Sequence, residues 1–155
     1  KNYRLREVIK MDKKPQGLMS IGIEVSINKS VLNYVTEIGD LGGKPSQQDA
    51  TCLKDAIKVN VDGVKDLSEW EVTYLYENTD ATSDFRVLKA LEKAGNSVDI
   101  VVTMPDGTKF TTTGTVSTYV TGAKVDGLIE AKASVSLKKD WDVTDPPASS
   151  QSTGK

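Results

Sequence analysis

One stretch of the sequence, residues 70–95, constrains the fold most, because the spacing of its apolar residues changes partway along it. In the first part, Trp70, Val72 and Tyr74 alternate with Glu71 and Thr73, which is the period-two pattern of a half-buried strand. This strand is predicted to lie in a sheet, with the side chains of Trp70 and Tyr74 packed in the core rather than against a ligand.

The second part of the stretch predicts a short helix over about 83–94. Ser83 fits the N-cap position and Gly95 fits the residue that ends the helix. The apolar residues recur three apart, as on one face of a helix, and are expected to pack in the core: Phe85, Leu88 and Leu91. Asp84 and Glu92 are expected on its solvated face. No other segment gives a convincing helix.

The rest of the chain predicts strands and turns. Pro105-Asp106-Gly107 is a strong hairpin signal, and Asp62-Gly63 is a second turn signal. The cleanest alternation lies at 128–138, where two alanines on the apolar face require a bulky partner opposite them. Alternation predicts the strands 19–28, 31–38, 57–61, 98–103, 108–113, 115–121 and 128–138. The fold class is therefore mainly β with one short α-helix.

The 155 residues suit one domain with two terminal extensions. Residues 1–18 predict a basic N-terminal arm, 19–141 a β core, and 142–155, rich in Pro, Ser and Thr, a flexible C-terminal tail. A long loop is predicted at 39–51, where Gly and polar residues are concentrated. A monomer has little need of such extensions, whereas an assembling subunit uses them to hold its neighbours.

Composition excludes most catalytic and metal chemistry. The chain has no histidine, which removes His-dependent triads and most zinc sites, and its carboxylates lack ligand spacing. Gly42-Gly43-Lys44 lacks the spacing of a phosphate loop, and Cys52 is expected to pack as a partly buried residue. We therefore expect no enzyme activity, no catalytic residue, no metal and no cofactor.

Charge and hydropathy indicate a soluble protein without a basic nucleic-acid patch. The formal net charge is -2 with a pI of about 5.2, where a protein held on nucleic acid by its charge is strongly basic. Neither a membrane-spanning stretch nor a signal peptide is evident, so we expect no membrane association.

Five segments, in this order, resemble the major tail tube protein of long-tailed, non-contractile (siphovirus-type) bacteriophages. The resemblance covers about 19–142 and depends on the order of the motifs rather than on one signature. The segments are EIGDLGGKP at 37–45, DATCLKDAIKVNVDGVKD at 49–66, EWEVTYLYENTDATSDFRVLKALEKAG at 69–95, MPDGTKFTTTGTVS at 104–117 and VDGLIEAKASVSLKKD at 125–140.

The resemblance implies a β-sandwich or half-barrel core with one flanking helix. It also implies hexameric rings whose inner sheets join into a continuous barrel, and stacking of these rings into the tube through which DNA leaves the capsid. The expected partners are further copies of the chain, the tape-measure protein, the tail terminator and tail-tip or baseplate proteins. DNA would pass without sequence-specific binding, and the protein would be assembled in the host cytoplasm and reside in the virion tail.

Two sets of residues are predicted to serve this assembly. The first is a ring-stacking loop consisting of Asp40, Leu41, Gly42, Gly43, Lys44 and Pro45. The second is a polar face that lines the lumen, with a net charge that does not hold DNA: Glu71, Thr73, Glu130, Lys132 and Ser134.

Two alternatives remain open from the sequence. The chain could be a monomeric immunoglobulin-like or carbohydrate-binding β-module that decorates a surface, which would explain exposed aromatic residues but not the extensions. It could also form the inner tube of a contractile or tail-like injection machine, because related folds serve there.

Overall fold

The structure, a computed structural model, describes residues 20–67 and 69–147. The predicted arm at 1–18 lies outside these residues, as does the end of the predicted tail. The described chain forms ten strands and one helix, α1, at Asp84–Ala94. The strands are β1 Glu24–Ile27, β2 Ser30–Val31, β3 Val35–Ile38, β4 Pro45–Asp49, β5 Asn60–Lys65, β6 Trp70–Leu75, β7 Val98–Thr103, β8 Lys109–Val120, β9 Glu130–Leu137 and β10 Asp142–Thr144.

Eight strands form one antiparallel sheet in the order β2-β1-β7-β8-β9-β6-β3, with β10 paired to β8 beside this path. The twelve-residue strand β8 organises the sheet. Its first half pairs with β7 on one side and with β10 on the other, and its second half pairs with β9. The mainly β architecture with one short helix, predicted from the alternation, is confirmed.

The connection between β2 and β3 forces this sheet to curl. These strands are the two ends of the sheet, yet only residues 32–34 join them, so Val31 and Val35 lie at most about 15 Å apart. Seven strands side by side in a flat sheet would span about 29 Å. The sheet therefore bends round until its two edges approach each other, as expected for a half-barrel.

The inner face of the curled sheet holds the core. Tyr74 lies opposite Ala131, and Val72 lies opposite Ala133, so the two alanines of β9 receive the large side chains of β6. The Tyr74 hydroxyl shares a 2.6 Å hydrogen bond with Thr118 Oγ1, which satisfies both buried hydroxyls. Buried core residues on other elements include Val25, Ile27, Leu88, Val98, Ile100, Val102, Val116 and Val135.

Helix α1 lies beside the second half of β8, where β7 no longer pairs. Lys89 Nζ donates to the backbone oxygen of Thr118 at 3.3 Å, and Ser117 Oγ donates to Glu92 Oε1 at 3.0 Å. The helix thus bonds to polar groups of β8 on the side where β7 no longer pairs. The helix ends as predicted at Gly95, whose φ of 67° is left-handed and whose N–H donates to Leu91 O.

Predictions for three strand segments and one turn were wrong in detail. The segment 31–38 breaks into β2 and β3 around the connection that closes the sheet. The segments 108–113 and 115–121 form one strand, because Gly114 continues the ladder and pairs with Val98 of β7 and with Leu137 of β9. Asp62-Gly63 does not turn the chain but lies within β5, which runs through Asn60–Lys65.

Two predicted irregular segments contain strands. Within the predicted loop at 39–51, Pro45–Asp49 forms β4 because β5 supplies its hydrogen-bonding partner. Within the predicted tail at 142–155, Asp142–Thr144 forms β10, since the first half of β8 is free on the side where β9 has ended. Sequence composition does not carry this information, because neither strand has an apolar face and each depends on pairing with another strand.

Candidate assembly surfaces

The strands β4 and β5 form a two-stranded hairpin outside the main sheet, which we call the β4–β5 arm (residues 45–65). The antiparallel pairs run from Pro45 opposite Lys65 to Asp49 opposite Asn60, with an irregularity between Pro45 and Gln47. All but Pro45 and Gly63 of its residues are exposed. The arm is therefore joined to the body at its base and presents both faces to solvent.

Hydrogen bonds hold the tip of the arm although its residues are exposed. Val59 N–H donates to Thr51 Oγ1 at 3.0 Å, and Cys52 N–H donates to Asp55 Oδ2 at 2.7 Å. Hydrogen bonds from the Thr51 hydroxyl and amide hold the pKa of Asp49 below its usual value. The expectation that Cys52 is partly buried was wrong, because its loop lies beyond the core.

The arm carries apolar side chains with nothing to cover them in the described chain. Leu53 and Val64 are 108% and 87% exposed, values typical of residues that touch almost nothing. The others are Ile57, Val59 and Val61. The concentration of exposed apolar side chains on one hairpin makes the arm a candidate interaction surface.

The predicted ring-stacking loop, Asp40–Pro45, lies at the base of this arm and not at its tip. Leu41 packs against the core, and Gly42 has a φ of 109° that a residue with a side chain rarely adopts. Lys65 Nζ lies 2.8 Å from Asp140 Oδ2 and ties the base of β5 to the segment between β9 and β10. The loop thus positions the arm.

A second apolar surface lies at the opposite end of the sheet, and we call it the Tyr34 patch. It surrounds a shallow depression of about 560 Å³ between the end of β6 and the chain before β9. Its apolar members are Tyr34, Leu75, Tyr76, Leu128 and Ile129. Strand β6 runs from Trp70, beside the arm base, to Leu75 in the patch, so the two apolar surfaces occupy opposite ends.

The predicted lumen residues do share one face, on the outer side of the curled sheet. Glu71 pairs with Ser134, Thr73 with Lys132, and Leu75 with Glu130 across the β6–β9 ladder. Lys132 Nζ lies 3.4 Å from Glu71 Oε2, and Ser134 Oγ donates to Glu69. Thr73 is only 8% exposed, so the accessible part of the set is mainly charged.

The residues predicted for the core lie in or against it. Trp70, Tyr74 and Leu88 are buried, while Phe85 and Leu91 are partly buried against the core. The Trp70 indole N–H donates to Gly39 O at 3.2 Å. Its ring meets Trp141 edge to face with centroids 5.2 Å apart, a contact between distant parts of the sequence that sequence spacing does not predict.

Asp84 is a structural residue that the sequence analysis placed wrongly on a solvated face. It is 4% exposed, and its carboxylate accepts the backbone N–H groups of Asn33 at 2.9 Å and Tyr34 at 3.2 Å. It therefore fixes the short connection that closes the sheet. The feature of the sequence that indicates this role is the position of Asp84 in the first turn of α1, where a negative charge is electrostatically favourable. Glu92 is likewise held, by Ser117 and Lys89.

Within residues 20–67 and 69–147, no group of three or more potential metal ligands comes together. The only helix of this part, α1, is too short to cross a membrane.

No protein-family model and no curated protein matches the sequence. The fold matches a chain in the cryo-EM structure of the PVC sheath/tube terminator, part of an extracellular contractile injection system, in its extended state. The TM-score is 0.62 at 6% sequence identity, covering 84% of this chain and 99% of that chain.

The fold also matches a chain in the cryo-EM structure of the baseplate of the anti-feeding prophage, six-fold symmetrised. The TM-score is 0.53 at 6% sequence identity, covering 79% of this chain and 91% of that chain. The chain therefore shares its fold with these terminator and baseplate chains. The likeness extends over nearly the whole of both neighbours, and it does not single out the non-contractile tail tube among such proteins.

Proposed function

We propose that this protein is a structural subunit of a phage tail tube, which assembles into hexameric rings that stack into the conduit for DNA ejection. The inner sheets of the six copies would join into one continuous barrel. The proposal combines the tail-type fold with the five segments that resemble siphovirus tail tube proteins. The observation that carries it is the β4–β5 arm.

The energetics of the arm favour assembly. A two-stranded hairpin is marginally stable alone in water, and this one leaves large apolar side chains such as Leu53, Ile57 and Val64 in solvent. Burying a side chain of this size contributes about 1.5–3 kcal/mol. A neighbouring subunit that covers the arm would recover this free energy, which a monomer cannot do.

The positions of the two apolar surfaces favour a stack over a closed dimer. The arm leaves the body at the end where β6 begins, and the Tyr34 patch lies where β6 ends. When two different surfaces lie at opposite ends of a subunit, one subunit can bind the next head to tail. Contacts of this kind extend into an open assembly. We place the arm tip of one ring on the Tyr34 patch of the next.

The polar face of β6 and β9 suits the lumen of such a tube. This face has one lysine, Lys132, and three glutamates, Glu69, Glu71 and Glu130. Its net negative charge therefore repels phosphate rather than holding it. Ser134 adds a hydroxyl that contacts Glu69. DNA would slide along this surface without sequence-specific binding.

The proposed partners follow from the tube. They are further copies of the chain, the tape-measure protein inside the tube, the tail terminator and the tail-tip or baseplate proteins. The protein would be assembled in the host cytoplasm and reside in the virion tail. We propose no enzymatic role, because the role proposed is structural and the chain has no histidine to act as a base for a nucleophile.

A second candidate is a terminator or baseplate component of a contractile or tail-like injection machine. The two solved structures favour it, because one is a sheath/tube terminator and the other a baseplate. The two candidates share the ring and differ in the length of the stack. Long tubes formed by the protein alone support the tube subunit, whereas single rings support a terminator or baseplate role.

Negative-stain electron microscopy and sedimentation velocity of the full chain test the proposal. Wild-type protein should form rings or tubes as its concentration rises. The variant Leu53→Asp/Ile57→Asp should remain monomeric, because it places charge on the contact surface. The matched control Lys54→Ser changes an exposed polar residue between them and should assemble normally.

Circular dichroism and thermal melting of the three proteins should agree, since the arm lies outside the core. Strictly monomeric wild-type protein at every concentration would contradict the proposal and favour the surface β-module. Normal assembly of the doubly charged variant would show that the arm tip is not the contact.

A further inference from the structure

A groove of about 400 Å³ lies at the base of the β4–β5 arm. Its floor includes Trp70 and Trp141, which are the only two tryptophans of the chain. Its sides come from residues 39–43 before the arm and 65–67 after it. Both the aromatic floor and the backbone walls are suited to receive an extended peptide segment.

The groove is strongly acidic. Five carboxylates line it against a single lysine, Lys65. Lys65 pairs with Asp140 at 2.8 Å, and Lys132 pairs with Glu71 at 3.4 Å. Three carboxylates have no ion-pair partner among residues 20–67 and 69–147, namely Asp40, Asp66 and Glu69.

The sequence supplies a segment of opposite charge. Residues 1–18 contain six basic and two acidic residues, a net charge of +4, while the remaining chain carries -6 to give the total of -2. Such an asymmetry favours contact between the two parts. The basic residues are Lys1, Arg4, Arg6, Lys10, Lys13 and Lys14.

The topology brings this segment to the correct end of the molecule. The antiparallel pairing reverses direction at each step from β1 through β7, β8 and β9 to β6, so β1 and β6 begin at the same end. The groove lies at the start of β6, and residues 1–18 precede β1. Eighteen extended residues reach about 60 Å, which exceeds the width of a domain of this size.

We propose that residues 1–18 of this chain dock into the acidic groove of the same molecule, with their basic side chains against Asp40, Asp66 and Glu69. An arginine of the segment stacks on the exposed face of Trp141, where a cation gains from the aromatic ring. The tether raises the effective concentration of the segment to the millimolar range, so weak contacts suffice. The docked segment braces the base of the β4–β5 arm against the core.

The two tryptophans of the groove allow docking to be measured by fluorescence quenching. The full chain carrying Val8→Cys in a Cys52→Ser background is labelled with bimane, a dye that tryptophan quenches on contact. The measurement is made on dilute monomers, so it does not depend on tube formation. We expect quenching at about 0.01 M salt and its loss at about 1 M salt, where the Debye length falls from about 30 Å to about 3 Å.

Charge reversals decide whether the groove is the docking site. Asp66→Lys/Glu69→Lys should abolish the quenching. The matched control Glu24→Lys/Asp99→Lys, which reverses two exposed carboxylates on β1 and β7, should leave it unchanged. Adding Arg4→Glu/Arg6→Glu/Lys10→Glu to the groove reversal should restore quenching, which a merely damaged fold would not do.

Three results would overturn the proposal. Quenching that survives the groove reversal would place the segment elsewhere. Equal loss in the control variant would show a general charge effect. Quenching that rises with protein concentration and vanishes on dilution would assign the groove to the segment of another copy.

Discussion

The curled sheet and the β4–β5 arm are both antiparallel β-structure, yet different forces hold them. In the sheet, Tyr74, Ile100 and Val102 are wholly buried, so packing and burial stabilise the hydrogen-bonded ladders. In the arm, the ladder has no covering layer and apolar side chains such as Leu53 remain in solvent. The same backbone pattern therefore forms a stable body in one region and a surface that needs a partner in the other.

The largest difference is expected from truncating an apolar side chain in each region. Leu88→Ala should lower the free energy of unfolding by about 2–5 kcal/mol, because it leaves a cavity under the helix. Leu53→Ala should change it by less than about 0.5 kcal/mol, since this side chain is already in water. Urea unfolding of the two variants checks the contrast, and similar losses would contradict the distinction between body and arm.

The next largest loss of stability is expected from removing the buried carboxylate of Asp84. Asp84→Ala removes the carboxylate that accepts the part-buried hydrogen bonds from the N–H groups of Asn33 and Tyr34 where the sheet closes, and losing a hydrogen bond to a charged group costs about 1.5–3 kcal/mol. Asp62→Ala on the arm, whose carboxylate accepts an exposed 3.5 Å hydrogen bond from Gln47, should be close to neutral. Thermal melting of both variants compares them, and an unchanged melting temperature for Asp84→Ala would argue against its role in closure.

The two glycines that lie within strands give a smaller, matched comparison. In the body, a Cβ on Gly114 would press on the Ser136 backbone, and overpacking of this kind costs about 1–3 kcal/mol. In the arm, a Cβ on Gly63 would meet Ser46 Oγ at 2.5 Å, a side-chain atom that can rotate away. Gly63→Ala should therefore destabilise less than Gly114→Ala in chemical denaturation, and the reverse order would contradict this account.

The smallest effect is expected when acid protonates Asp140, which ties the base of the arm to the body. The hydrogen bond from Lys65 lowers the pKa of Asp140 below its usual 3.8. A lowered pKa in the folded state means that the contact contributes fully above 3.8 and is lost as pH falls through the lowered value. NMR shifts of β5 amides should move in this range in the wild type and not in Asp140→Asn, while core amides stay constant. Identical titrations of the two proteins would contradict the anchoring role of Asp140.

The sequence predicted the elements that obey a simple period and missed those that depend on distant partners. The alternation at 70–76 and the three-residue spacing of Phe85, Leu88 and Leu91 each correspond to an element at nearly the predicted bounds. Strand β4 has no apolar face, and β10 has three residues of which Val143 alone is apolar, so neither produces a hydrophobic pattern. Only their pairing with β5 and β8 makes them strands.

The candidate surfaces show the same limit. The lumen set could be identified as one face, because Glu130, Lys132 and Ser134 alternate along a single strand. The ring-stacking loop was predicted at 40–45, which lies at the base of the arm. The apolar segment 57–61 was predicted as a strand, and only Asn60 and Val61 of it lie in β5. An apolar run on a hairpin has the same pattern whether a core or another subunit covers it.

Hydrogen exchange of the arm, measured on the dilute monomer and on the assembled protein, tests the central claim most directly. The claim is that a partner copy covers the β4–β5 arm. We predict that β5 amides exchange rapidly in the monomer and become protected on assembly, while the amides of β8 are protected in both states. Equal and rapid exchange of β5 in both states would contradict the assembly role of the arm.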